Sequence, residues 1–269
     1  MPDARPIGVF DSGVGGLTVA RAIVDLLPHE SLIYVGDNAH FPYGPKPVSE
    51  IRGYAMDIAA YLVNREVKLL VIACNSIEVS AIGDIAAEHG VPVIGVVNPG
   101  VRAAIRATRN GVVGVIGTVA TIATGAYQRA IGSAVELHAG ACPAFVEHVE
   151  RGDTTSDELR AAAAEYLAPL KGRGIDTLIL GCTHYPLLSG LIQLELGPDV
   201  VLVSSAEETA KDVYAELLRT DLLREATEPP SHEFLTTGDV EAFHRLAVRF
   251  LGHELLGAAS VRVGAGGSA

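Results

Sequence analysis

Basic residues are scarce in this chain: 20 lysines and arginines stand against 32 aspartates and glutamates, a formal net charge of −12 over 269 residues. That deficit excludes a broad nucleic-acid or acidic-lipid footprint. A small anion pocket stays open to it, because backbone amides at helix N-termini bind carboxylates without a basic patch. Long apolar runs are missing too. Although 49% of the residues are hydrophobic, none of the runs approaches the roughly 18 residues that a membrane span needs. No membrane partner is expected, and the apolar excess belongs in buried strands. With only three cysteines, no disulfide framework is expected, and a reducing cytoplasm is the natural setting. The opening Met1-Pro2-Asp3-Ala4-Arg5-Pro6 runs straight into a strand and lacks the charged-then-apolar pattern of a signal peptide.

What is present alternates between strand-length apolar runs and amphipathic helices, which predicts an α/β protein with mostly parallel sheets. The length suits two cores. Leu178-Ile179-Leu180-Gly181-Cys182-Thr183-His184-Tyr185-Pro186 reads as a buried parallel strand that delivers a thiol, a hydroxyl and an imidazole at its carboxyl end. Leu69-Leu70-Val71-Ile72-Ala73-Cys74-Asn75-Ser76 echoes it in the first half. A cysteine between a strand end and a helix start has its thiolate favoured by unpaired amides. Either cysteine alone fits a packed core residue, but two in matching contexts suggest a duplicated site.

Two further strand ends carry polar groups. Ile7-Gly8-Val9-Phe10 turns into a helix through Asp11-Ser12-Gly13-Val14-Gly15-Gly16, whose glycines allow close backbone approach to a ligand. This is neither a dinucleotide fingerprint nor a phosphate loop, since the Lys-Ser/Thr ending is missing. Leu32-Ile33-Tyr34-Val35-Gly36 precedes Asp37 and a rigid loop that presents Tyr43 and the Gly44 backbone. Asn98-Pro99-Gly100 breaks the pattern after a strand over 91–97 and is the expected crossing between domains. Ser205-Ala206-Glu207-Glu208 reads as a capping box opening a helix. Zinc is not expected, because Cys74, Cys182 and His184 lack a C-x-x-C pair or a further histidine.

Taken in order from about Ile7 to Leu251, five motifs closely resemble those of the glutamate racemases: Phe10 to Thr18, Gly36-Asp37 with Pro42-Tyr43-Gly44, Ala73-Cys74-Asn75-Ser76, Gly117-Thr118 with Thr121, and Gly181 to Pro186. The resemblance implies two pseudo-symmetric α/β domains with the active site in the cleft between them. The expected division is 1–97 plus 209–255 around Cys74, 98–208 around Cys182, and a disordered tail over 256–269. It further implies cofactor-independent interconversion of L- and D-glutamate for peptidoglycan, with a homodimer as the expected assembly. Cys74 and Cys182 would be the acid/base pair, assisted by Asp11 and His184. Ser12, Pro42, Tyr43, Gly44, Asn75, Ser76, Thr118, Thr121 and Thr183 would bind substrate along with Asp11 and His184. Asp37 and Glu150 would stand behind them. Two alternatives remain open at this point: a racemase for another acidic amino acid such as aspartate, and a catalytically weak binding or inhibitory protein on the same scaffold.

The residues support such chemistry. Racemisation needs a base on one face of Cα and an acid on the other, which two half-sites across a cleft supply. A pyridoxal mechanism would want a lysine; Lys46, Lys68, Lys171 and Lys211 are the only lysines, and none follows a strand as the cysteines do. Ser76 stands where the family usually has threonine, and Ile77-Glu78 where small residues are usual. Glu78 either faces the cleft, raising the Cys74 pKa, or turns away along the helix and complements its N-terminus. The second is the expectation.

Overall fold

The computed structural model describes residues 3–225, 228–251 and 258–263. β1 (Ile7–Asp11) leads through the glycine loop into α1 (Leu17–Leu26), and β2 (Leu32–Gly36) through the proline-rich loop into α2 (Val48–Asn64). β3 (Leu69–Ile72) enters α3 (Asn75–Glu88) directly, and β4 (Val93–Ile94) is followed by α4 (Val97–Ala107). A second series follows: β5 (Val112–Gly117), α5 (Val119–Ala123), α6 (Ala126–Ile131), β6 (Glu136–Ala141), α7 (Ala144–Glu150), α8 (Asp157–Lys171) and β7 (Thr177–Gly181). A short 3₁₀ turn (Tyr185–Leu188) then precedes α9 (Ser189–Leu196) and β8 (Val201–Val203). The chain ends with α10 (Ala206–Arg219), β9 (His232–Thr236), α11 (Val240–Leu251) and β10 (Ala258–Ser260).

Two sheets result, one with strand order β10-β9-β2-β1-β3-β4 and one with β6-β5-β7-β8, and each pairing within them is parallel. Parallel strands covered on both faces should be apolar throughout. β3 and β7 accordingly are buried along their whole length. Each sheet carries a hydrophobic cluster on either face. Within the first sheet Phe10 pairs with Ile72 and Asp11 with Gly36, so Asp11, Asp37 and Cys74 emerge along one edge. In the second, Gly117 pairs with Gly181, which puts Thr118 and Cys182 side by side. The two carboxyl edges carry the motifs. Among the described residues no helix is long and apolar enough to cross a membrane.

Three local expectations give way. Asn98-Pro99-Gly100 does not break the chain but forms the first turn of α4, where a proline without an N–H costs nothing; the chain crosses from β4 into that helix through the short Gly95-Val96 link. Ser205 makes no side-chain cap to α10, so the capping box does not form. Within the tail expected to be disordered, Ala258–Ser260 is instead a strand whose backbone pairs with the open edge of β9. The rest of 256–269 lies outside the described residues apart from 261–263.

Candidate active site

The glycine loop after β1 closes on its own carboxylate. Asp11 Oδ2 accepts from the amides of Gly16 (2.9 Å) and Gly13 (3.3 Å). The loop amides that a ligand could have used are thereby partly spent, and the start of α1 is capped by Asp11 rather than by Gly16. Asp11 is fully buried, which raises its pKa, while His184 and the two amides pull the other way. The neighbouring Cys74 thiol also favours the charged carboxylate. Gly15 marks the meeting of the two halves: a Cβ there would come 2.3 Å from Thr183 Oγ1 and 2.6 Å from His184 Nδ1.

Cys74 ends its strand one residue before α3, as the spacing predicts, and the Ile77 amide points at its sulfur. The thiol donates to Ser12 Oγ at 3.5 Å. Burial dominates its ionisation and, with the Asp11 charge, pushes the thiol well above the ordinary range; Ser12 and the Ile77 amide oppose this. Cys182 has different surroundings. Its strand is followed by a turn and then a 3₁₀ helix, so the expected α-helix N-terminus is absent and an imidazole takes its place. His184 Nδ1 lies 3.9 Å from Cys182 Sγ, and Nε2 lies 2.6 Å from Glu150 Oε1. Burial alone would keep this histidine neutral, but the hydrogen bonds and charges of Cys182 and Glu150 outweigh it and lift the pKa to about 10. Phe41 and Phe250 flank the ring.

The halves are joined by polar contacts across their carboxyl edges. Ser76 Oγ lies 2.9 Å from Thr118 Oγ1 and 3.4 Å from Thr121 Oγ1, and Thr118 in turn caps α5 through the Thr121 amide. Asn75 Oδ1 accepts from the Tyr127 hydroxyl at 2.6 Å, which leaves the Asn75 amide nitrogen for a ligand. The Gly44 carbonyl accepts from the Ala120 amide. Tyr43 is less available than the sequence suggests, because its buried hydroxyl donates to Asp37 at 2.5 Å. Asp37 also takes Thr237 Oγ1 and His40 Nδ1, so it braces the loop from behind.

These residues line a narrow cleft whose empty space, about 320 Å³ including its opening to solvent, is faced by both thiols together with Ser12, Tyr43, Gly44, Asn75, Ser76, Thr118, Thr183 and His184. Asp11, Thr121, Asp37 and Glu150 stand behind that lining, and Pro42 belongs to a larger open cavity of about 710 Å³ that shares Gly44, Thr118 and Val146 with the inner one. Phe41, Val146 and Gly181 line the inner cavity as well. Phe41 was within reach of sequence reasoning, since it sits in the proline-rich loop; Val146 and the buttressing Tyr127 carry no signal in their own surroundings. Cys142 lies elsewhere, buried in the second core with its thiol pushed up to about 12 by burial. Among the described residues no group of three or more His, Cys, Asp or Glu side chains is placed to hold a metal ion.

A fold of two parallel sheets with one strand-end thiol from each facing a single polar cavity defines a class, and its family model, Asp/Glu/Hydantoin racemase, matches residues 7–213. The chain belongs to that family, and within it to the glutamate racemases. The glutamate racemase of Acidothermus cellulolyticus is 59% identical over 253 residues, covering 93% of this chain and 96% of that protein. The solved glutamate racemase isoform of Bacillus anthracis superposes with a TM-score of 0.90 at 42% identity, covering 96% of this chain and 97% of that one. The enzyme from Francisella tularensis, solved in complex with D-glutamate, gives the same TM-score at 36% identity, covering 97% of this chain and 98% of that one.

Proposed function

We propose that this protein, a glutamate racemase, interconverts L- and D-glutamate by moving protons through two thiols, one on each face of Cα. The observation that carries the reading is that Cys74 and Cys182, from separate sheets, line one cavity. In one direction Cys182, as a thiolate beside the His184 imidazolium, takes the α-proton. The Cys74 thiol then gives its proton to the opposite face, and the new bond inverts the centre. In the reverse direction the roles exchange, with Asp11 beside Cys74 holding the place that His184 holds beside Cys182. Negative charge that develops on the α-carboxylate meets the hydroxyls of Ser76, Thr118 and Thr183 and the Asn75 amide nitrogen, which suit a carboxylate without a lysine or arginine. Asp37 and Glu150 act one step removed, through Tyr43 and His184. The reaction as written needs no cofactor.

The scale of the assembly follows the same reading. Domains of 1–97 plus 209–255 and of 98–208 put one half-site in each, with the cleft between them. A cytoplasmic homodimer is the proposed state, and a monomer at every concentration of a sedimentation dilution series overturns the dimer. The racemisation itself is followed by circular dichroism of L- and D-glutamate, with aspartate beside them. Optical rotation should decay from either glutamate enantiomer and persist with aspartate. Cys74→Ser and Cys182→Ser should each lower the rate by about 10²–10⁴-fold or more, the range for a positioned proton-transfer group. Cys142→Ser should retain most activity while costing about 1–3 kcal/mol of stability for its buried hydroxyl. Equal loss at Cys142 in folded protein shows the wrong pair was chosen.

A further inference from the structure

One buried acidic side chain beside the site has no part in this chemistry. Glu78 turns away from the cleft, as expected, but the helix start it complements is that of α4 and not its own. It is 6% exposed and reaches from the first turn of α3 to the Gly95-Val96 crossing. There its Oε2 accepts from the Val96 amide and from the Val97 amide at 2.8 Å. Val96 is the N-cap of α4 and has no side chain able to cap it, so the cap arrives from another helix. A Cβ on Gly95 would lie 2.2 Å from the Glu78 carboxyl carbon, so the crossing backbone rests directly on the carboxylate. Ile77, beside it, is buried in the first core and does not press on the cleft.

The connection has a direction. α3 starts immediately after Cys74 and carries Asn75 and Ser76 in its first turn. α4 begins at the crossing and packs against β7, the strand that delivers Cys182. One carboxylate therefore bridges the two elements that place the two thiols. A local serine or asparagine cap would have satisfied the same amides without burying a charge. The Glu78 arrangement differs from such a cap in joining the first half-site to the second.

We propose that Glu78 is a positioning residue for the two-thiol reaction: by holding the start of α3 against the start of α4 it sets the separation of Cys74 from Cys182. The inference rests on the two-thiol reading above. Inversion needs both sulfurs within reach of one Cα, and a displacement near 1 Å can cost about 10²-fold. Removing the α-proton and returning a solvent-derived one to the same face needs one sulfur only. A looser bridge should thus depress inversion while sparing exchange.

The test measures both rates early in the reaction in deuterium oxide, inversion by circular dichroism and α-deuteration of the unconverted enantiomer by proton NMR. Glu78→Ala should lower inversion by about tenfold or more while exchange falls much less, raising the exchange-to-inversion ratio. Glu78→Gln keeps an oxygen for the two amides and should bring the ratio back to within about threefold of the parent. Where Glu78→Ala does not fold, Glu78→Asp withdraws the carboxylate by one methylene and should raise the ratio in its place. A folded Glu78→Ala or Glu78→Asp protein with the parent's ratio, whether both rates fall together or neither falls, overturns the positioning role. A parent protein that neither inverts nor exchanges glutamate overturns the two-thiol reading and the inference with it, and is distinguished by failing before any substitution is made.

Discussion

At the scale of single residues the two half-sites are not equivalent. Cys74 sits among anionic and neutral groups and is held as a thiol, whereas Cys182 has an imidazolium within 3.9 Å. The two thiols therefore meet opposite electrostatic surroundings, an anion beside Cys74 and a cation beside Cys182. This asymmetry has a stability signature through His184. Its pKa rises on folding from 6.5 to about 10, so its favourable contribution is complete below pH 6.5 and is lost as the pH climbs through 10. Urea denaturation at pH 6, 8 and 10 should show stability falling across that window, and His184→Gln should flatten the slope; equal slopes in the two proteins sink this account. The cysteines and His184 were legible because chemistry at strand ends leaves a local pattern of apolar run, small residue and reactive group. That Glu78 turns from the cleft was legible, but its partners, the Val96 and Val97 amides, lie on a different element and leave no mark near position 78.

The elements themselves were legible wherever local chemistry decides them. α2 and α3 form where apolar periodicity and the adjoining strands bound them on both sides. Failures fall where a tertiary partner overrides the local signal. Pro99 looks like a terminator in sequence, yet in the first turn of a helix its fixed φ is an asset, and Glu78 supplies the cap that Val96 cannot. The glycine-rich segment before α1 looked like a ligand cradle, but Asp11 at the end of β1 folds back onto Gly13 and Gly16 and fills part of it. Likewise Ser205 has the residues of a capping box without its geometry, since its φ and ψ are already helical and the side chain makes no cap. What turned α3 from an ordinary helix into part of the site is its close contact with α5 and α6, through Ser76 to Thr118 and Asn75 to Tyr127. Spacing along the chain does not encode such pairs.

Across the whole molecule, the first sheet is assembled from both ends of the chain, since β9 and β10 add to an edge begun by β2. The return of the chain was implied by the family resemblance, but what fastens it was not visible in sequence. At the sheet edge opposite the cavity, Lys68 is fully buried with its ammonium 2.6 Å from the Glu30 carboxylate. It also donates to the carbonyls of Asp3 and Leu222, while Glu30 accepts from the Arg224 amide. One ion pair thus gathers the N-terminal segment, the start of β3, the end of the α1 connection and the approach to β9. Its worth as a pair is modest after desolvation, but removing one partner strands the other charge in the core. Lys68→Met should cost about 3–5 kcal/mol in urea denaturation, and adding Glu30→Gln to it should recover a large part of that loss. The kinetics of folded protein should change little in either case, because the pair lies at the far end of the strands from both thiols. A Lys68→Met protein with parental stability would show that neither charge depends on the other, and that the return of the C-terminal segment is held by the apolar packing of α10 and α11 against α1 alone.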